Sequence, residues 1–308
     1  MLIFFGVIGG LSLFLFGIKL MSSTFEDIVS LKVKNNLEKF TSNKLIGLLL
    51  GIVATALLQS SSASTLIVIS LVHSNLINLY NAVPILMGAN IGTTFTAQLI
   101  AFKLDDFIPY FFILAIILLP FYNKRKFRTL IRVILSLGII FLGMRILENS
   151  ISSTNINEKI IILIKNIETN KIAGIFLGFI ITSIIQSSST GIAILQVLAS
   201  NLIIPVKTSI PILLGQNIGT CTDTFIGSLI TNKKGKQAAL IHIMFNILGV
   251  VIFYFLIDYL YSIVHGLSPE NPSKQLANAH TIFNVSTTII LFPIYPLLIK
   301  ISKKIIPD

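Results

Sequence analysis

Long apolar runs bounded by short polar stretches dominate the chain. Membrane-spanning helices are expected at 2–21, 82–101, 107–122, 131–147, 208–230, 239–257 and 280–299, since a helix of about 20 apolar residues crosses a bilayer. Two further apolar segments, 45–72 and 172–199, are 28 residues each. As straight helices they would run about 42 Å, against a hydrocarbon core of about 30 Å. Each carries Gln-Ser-Ser-Ser at its centre, Gln59-Ser60-Ser61-Ser62 in one and Gln186-Ser187-Ser188-Ser189 in the other. Amides and hydroxyls are costly in lipid unless partnered. A hairpin is therefore expected in each: two half-helices that enter, turn near the midplane and leave on the same side. Between Ser22 and Lys44 the chain is polar and amphipathic (Ile28, Leu31, Val33, Leu37, Phe40), which predicts a segment lying along the membrane surface.

The two motifs lie 127 positions apart (59 to 186), and their surroundings recur at the same offset. Asn43-Lys44 is matched by Asn170-Lys171, Pro84 by Pro211, and Asn90-Ile91-Gly92-Thr93 by Asn217-Ile218-Gly219-Thr220. A duplicated polar centre within duplicated apolar units is the pattern of a secondary transporter. The chain divides into a first repeat, 1–132, with hairpin 45–72, and a second, 133–308, with hairpin 172–199 and the C-terminal spans. The fold class is an all-α polytopic membrane protein of about seven full spans plus two re-entrant hairpins. No soluble domain is expected. The N-terminal run has no preceding basic residue and no small-residue cleavage site, so it reads as a retained span.

Composition agrees. The chain is 54% hydrophobic and only 11% charged, where soluble domains carry about 25% charged residues. The net charge of +11 would suit nucleic acid, but the basic residues sit in short loops between apolar segments, as membrane orientation requires. Segments 22–44, 121–132, 231–237 and 300–308 hold four, five, three and three Lys/Arg, 15 of the 23 in the chain. With both hairpins returning to their starting side, all four segments fall on one face. That face is cytoplasmic by the positive-inside rule, with the N-terminus outside and the C-terminus inside the cell (inner) membrane. With both segments crossing, the most basic loop lands on the wrong side. Three full crossings separate the two hairpins, so the units have opposite orientations: an inverted-topology repeat, which supplies alternating access.

The hairpin tips carry the candidate chemistry. Gln59, Ser60, Ser61, Ser62, Gln186, Ser187, Ser188 and Ser189 offer hydroxyl and amide groups. The half-helices starting near Ser62 and Ser189 aim their N-terminal amides at the centre, a setting that binds anions. The preceding half-helices end there with free carbonyls, which suit a small hard cation such as sodium. Asn90, Thr93, Thr94 and Thr96, with Asn217, Thr220, Thr222 and Thr224, are expected to open polar breaks in the following spans. Gly88, Gly92, Gly215 and Gly219 permit unwinding or close helix contact, and Pro84 and Pro211 fit first-turn positions. With no Lys or Arg near the middle of either hairpin, an anion would be neutralised by co-bound cations and amide dipoles. Asp223, matched to Thr96, reads either as a cation ligand or as a residue near the surface or facing water. Lys19 and Arg145, near span ends, read as interface anchors. His242/Phe245/Asn246 and His280/Phe283/Asn284 repeat a His-x-x-Phe-Asn pattern, read as interhelical hydrogen bonding, with proton sensing as the rival. The lone Cys221 excludes an internal disulfide, and no Cys/His cluster has metal-ligand spacing.

The paired Gln-Ser-Ser-Ser motifs, with Gly-(Ala89/Gln216)-Asn-Ile-Gly-Thr, resemble those of the sodium-phosphate cotransporter family, the type II family of animals and its bacterial relatives, over about 45–299. The resemblance implies sodium-coupled symport of inorganic phosphate into the cell by alternating access. Both Gln-Ser-Ser-Ser motifs would contact phosphate and sodium, and Asn90, Thr93, Asn217 and Thr220 would complete the cavity. Sodium ligands would come from Gln59, Ser62, Thr94, Gln186, Ser189 and Asp223. Expected partners are phosphate, sodium and the lipid bilayer, with no nucleic acid and no cofactor beyond the coupling ions; a homodimer is compatible. Many bacterial members carry a soluble regulatory domain after the membrane unit, and none is expected before Asp308. Rival readings are a symporter of another oxyanion, coupling to protons, or an anion channel. An enzyme is not expected: the serines lack a Gly-x-Ser-x-Gly turn and a carboxylate–histidine pair to act as base.

Overall fold

A computed structural model describes residues 2–33, 43–102, 104–152, 167 and 170–307. Among these residues every regular element is helical. In chain order they are α1 (Leu2–Val33), α2 (Lys44–Leu58), α3 (Ser61–His73), α4 (Leu79–Ala101), α5 (Ile108–Leu118), α6 (Arg125–Ser152), α7 (Lys171–Ile185), α8 (Ser188–Ser200), α9 (Val206–Gly219), α10 (Cys221–Ser228), α11 (Lys233–Tyr254), α12 (Ile257–Leu267), α13 (Pro272–Leu291) and α14 (Tyr295–Ile305). The 127-residue offset of the motifs is also an offset of helix boundaries. The ends of α2, α3 and α4 shifted by 127 positions give the ends of α7, α8 and the α9–α10 pair.

Local chemistry explains the shared boundaries. Asn43 and Asn170 are N-caps: each side-chain oxygen accepts two first-turn amides, from Leu45 and Ile46 at 2.9 and 3.3 Å, and from Ile172 and Ala173 at 3.1 and 3.2 Å. This accounts for the repeated Asn-Lys pair. The outward faces of α2 and α7 expose apolar side chains at a spacing of four, Leu45, Leu49 and Val53 on one, Ile172, Phe176, Ile180 and Ile184 on the other. Their inward faces carry Gly47, Gly51 and Thr55, and Gly174, Gly178 and Thr182. These inward glycines let two backbones meet. A Cβ on Gly51 would lie 3.0 Å from the Ala89 amide nitrogen and closer still to the Ile85 carbonyl. One on Gly178 would lie 3.0 Å from that of Gln216 and closer to the Ile212 carbonyl. Gly88 and Gly215 face back onto the Leu48 and Ile175 carbonyls, so close contact, not unwinding, is what the glycines provide.

Four apolar clusters hold the described helices, the smallest of them packing α5 on α6 through Ala115, Ile131 and Ile134. One joins α8, α9, α11, α12 and α13, with Phe253 and Phe283 edge to face at 5.1 Å. A second joins α3, α4, α11 and α14 around Ile69, Leu86, Phe245 and Tyr295. In the third, α1 packs on α6 through Phe14, Ile140 and Leu147.

Several boundaries depart from expectation. Among the described residues four helices are long and apolar enough to span a membrane: Phe4–Thr24 within α1, α4, Arg125–Ile151 within α6, and α11. A fifth arises if α13 and α14, bent by 80°, count as one. The bend replaces the straight span expected at 280–299; it falls at Pro293, which cannot donate a helical hydrogen bond and clashes with the preceding turn. Pro120 likewise sits in a 3₁₀ turn, Leu119–Phe121, after α5. Pro84 and Pro211 lie inside α4 and α9, not in their first turns, because α4 already starts at its Asn78 cap, whose side chain accepts the Asn81 amide at 2.9 Å. The two prolines pack onto Gly47 and Gly174. In place of a surface segment from Ser22, α1 continues to Val33; residues 34–42, and the side chains of the amphipathic set, lie outside the described residues. The sequence reading had no element at α12.

Candidate functional site

Each Gln-Ser-Ser-Ser forms a two-residue break between helices. Gln59 and Gln186 end α2 and α7 in the left-handed region, at φ 52° and 56°. Their amides still bond the carbonyls of Thr55 and Thr182, at 2.9 and 2.8 Å. A non-glycine residue pays about 1–3 kcal/mol for such a conformation, which persists where surroundings over-determine it. Ser60 and Ser187 then turn extended and cap α3 and α8, accepting the Ala63 and Thr190 amides at 3.2 Å each. Their hydroxyls therefore serve the turn itself, while the amides of the next residues remain without helical acceptors.

The two breaks meet. Ser61 Oγ and Ser188 Oγ are 3.4 Å apart, and Ser189 Oγ lies 3.5 Å from the Gln59 carbonyl. Between the turns is a cavity of ≈ 330 Å³, lined by Gln59, Ser60, Ser61, Ser62 and Gln186, Ser187, Ser188, Ser189, with Leu58 and four residues of α1: Leu15, Ile18, Lys19 and Ser22. All eight motif residues named from sequence thus come together.

The remaining candidates lie behind this lining. Thr93, Thr94 and Thr220 bond back to their own helices, on the carbonyls of Ala89, Ile91 and Gln216, at 2.9, 2.8 and 3.0 Å. Asn90 Oδ1 is 3.2 Å from His242 Nε2, and Asn217 Oδ1 is 3.4 Å from both His280 Nε2 and Asn284 Nδ2. The two His-x-x-Phe-Asn patterns therefore each hold one Asn-Ile-Gly-Thr asparagine, the interhelical role read for them. The expected polar breaks differ between copies: the first lies within continuous α4, while the second divides α9 from α10 at Thr220. Asp223 is not among the residues that line the cavity. It is partly buried and accepts a hydrogen bond of 2.6 Å from Ser62 Oγ, across to the first turn. Thr96, its counterpart, donates to Gln59 Oε1 at 2.7 Å, and Gln59 Nε2 donates to the Ala56 carbonyl at 2.6 Å.

Sequence reasoning missed Lys19 and Ser22 as cavity residues. Sequence position gives Lys19 an interface role; the packing of α1 beside the turns also brings it to the cavity. A lone cation two positions from the end of the apolar stretch 2–21 was the available signal, and no spacing tied it to residues 40 to 170 positions away.

Outside the bundle's centre, Asp258 on α12 receives Lys171 Nζ at 2.6 Å and Lys207 Nζ at 3.1 Å. These lysines stand at the start of α7 and the start of α9, so the beginning of α7 and the helix that follows α8 meet at one carboxylate. The Lys171 hydrogen bond, then that of Lys207, holds this carboxyl below the usual carboxylate range.

Two helix breaks converging on a polar cavity inside an apolar helical bundle define a membrane-transport architecture. The chain belongs to the Na+/Pi-cotransporter family, whose sequence model matches it twice, over residues 13–149 and 150–268. It is similar to the "Uncharacterized protein YqeW" of Bacillus subtilis (29% identical over 96% of this chain and 95% of that one). It is also similar to the "Putative inorganic phosphate export protein YjbB" of Salmonella typhimurium (22% over 100% of this chain, spanning 56% of that protein's length). The human "Sodium-dependent phosphate transport protein 2B" is 41% identical over 31% of this chain and 14% of its own length. No solved structure matches.

Proposed function

We propose that this protein is a sodium-coupled symporter of inorganic phosphate that works by alternating access. The observation that carries the reading is the meeting of two equivalent turns, Ser61 to Ser188 at 3.4 Å, around one cavity rich in hydroxyls and free amides. Such groups replace the hydration shell of an oxyanion. The amide and hydroxyl oxygens of Gln59, Ser62, Gln186 and Ser189 are hard donors of the kind a small cation takes. Phosphate and sodium bound together leave a site with less net charge to carry through a low-dielectric interior. The family and the printed name of its human relative favour this cargo and this coupling ion.

In this reading α2–α3 and α7–α8 are re-entrant hairpins with their turns near the midplane, an inverted pair among the spanning helices. Support comes from the hairpin ends. Lys171 and Lys207 share Asp258. At the other pair, Lys44 lies over the Tyr295 ring, and His73 and Asn75 accept from Asn232 and Lys234. The four basic segments then face the cytoplasm of the cell membrane.

Direction has a second reading, because the name of YjbB speaks of phosphate export. An inward sodium gradient drives a symporter inward; export would need another driving force. Proteoliposomes loaded with or without sodium and given labelled phosphate separate the two. Uptake that rises with an inward sodium gradient supports symport. Phosphate movement indifferent to sodium would remove it, and acceleration by a pH gradient alone would replace sodium with protons.

A further inference from the structure

The cavity has one fixed positive charge. Leu15, Ile18, Lys19 and Ser22 fall at i, i+3, i+4 and i+7, one stripe of a helix, and these are the residues by which α1 borders the cavity. Lys19 makes no ion pair or hydrogen bond among the described residues, and what sets it apart is its place in the cavity lining. An ammonium that only anchored α1 at the interface would need no seat beside both serine turns. Placed within the apolar stretch Phe4–Thr24, it is costly unless it faces a partner or water. Lys19 is exposed and its ammonium is met by water, not by a protein group; the turns contribute hydroxyls and amide N–H groups to the lining, and the carboxylate of Asp223, which accepts from Ser62 at 2.6 Å, is not itself part of it.

We infer that Lys19 is an anion-binding residue of this cavity, the permanent counter-charge for an oxyanion held between the two serine turns. The inference rests on the proposed phosphate cargo and adds a consequence to it. With one positive charge supplied by the protein, fewer co-bound sodium ions are needed to neutralise each phosphate than in a cavity of uncharged groups alone. The ammonium also repels sodium, so it favours the anion at some expense to the cation. Removing it therefore moves the two affinities in opposite directions.

The test compares wild type, Lys19→Gln and Lys19→Arg, each checked for monodispersity in detergent. The first arm needs no transport. Phosphate should protect the solubilised wild type against thermal unfolding, and Lys19→Gln should require about tenfold more phosphate for the same protection, the share of affinity a charge-assisted hydrogen bond carries. Lys19→Arg should recover most of it. In proteoliposomes, Lys19→Gln should raise the half-saturating phosphate concentration by a similar factor while that for sodium stays the same or falls. Equal phosphate protection in wild type and Lys19→Gln, or weakening of sodium and phosphate together with no recovery in Lys19→Arg, overturns the inference and leaves the phosphate reading standing. A wild type that phosphate neither protects nor crosses with overturns both.

Discussion

Gln59 is 4% exposed and held from two sides, by Thr96 and by the Ala56 carbonyl, whereas Gln186, in the same left-handed conformation, is exposed and makes no side-chain hydrogen bond among the described residues. The serines differ too. Ser62 is tied to Asp223, while Ser189 reaches only the Gln59 carbonyl at 3.5 Å. Backbone is thus duplicated and side-chain support is not. The reason lies in one substitution between the repeats: Thr96 in α4 serves the turn of its own repeat, but the equivalent Asp223 in α10 reaches across to the other turn. Two copies of a motif consequently offer unequal chemistry, one locked and one open, within a single cavity.

The shared part of that comparison should break first. Gly51→Leu and Gly178→Leu each drive a side chain into a backbone carbonyl, which costs at least about 3 kcal/mol. Both should abolish monodisperse protein in size-exclusion chromatography, and to the same degree. A well-behaved Gly178→Leu beside a failed Gly51→Leu would show that the two arms are not equivalent.

The unequal part follows. Asp223→Ala leaves Ser62 without its acceptor and should cost about 2 kcal/mol, the range for hydrogen bonds to charged groups, against about 1 kcal/mol for Thr96→Val. Thermal unfolding in detergent measures both; a Thr96 variant as damaging as the Asp223 variant would contradict the ranking. Within the turns, Gln59→Ala should cost about 1–2 kcal/mol by stranding the buried Thr96 hydroxyl. Gln186→Ala should stay within about 0.5 kcal/mol and register in phosphate half-saturation instead.

The smallest effect concerns Asp258. Its folded carboxyl is held low by Lys171 and Lys207, so its contribution is present above the ordinary carboxylate range and lost as pH falls through it. All three side chains are at least one-third exposed, so the loss should be under about 1 kcal/mol. It should appear as a shallow fall in unfolding temperature below about pH 4, absent in Asp258→Asn. An unchanged slope in that variant would remove the assignment.

Lys19 shows why part of the site was illegible. Repetition at a fixed offset exposes residues that a duplicated unit needs twice, which is how Gln59 to Ser62 and Gln186 to Ser189 could be found. Lys19 and Arg145 occupy similar places near span ends in the two repeats, but Lys19 lines the cavity and Arg145 does not, so repetition did not mark this role. The asparagines were legible as important but not in their role: Asn90 and Asn217 repeat because each packs against a histidine on another helix. That partnership spans 152 positions in one case and 63 in the other, with no common spacing to read.

Local rules were enough for whatever depends on near neighbours. Apolar run length set the helices, Asn43 and Asn170 set where two of them begin, and a polar quartet inside an over-long apolar run set where each breaks, since lipid penalises unpartnered amides and hydroxyls wherever they occur. The tertiary structure alone decided which groups face the cavity. It brought α1 beside the two turns, turned Asp223 toward the opposite repeat, and bent the chain at Pro293 so that α14 follows α13 at 80°. Those outcomes depend on side-chain packing between helices far apart in the chain, where a contact of 3–4 Å is fixed by the shape of the whole bundle and leaves no periodic trace in the order of residues.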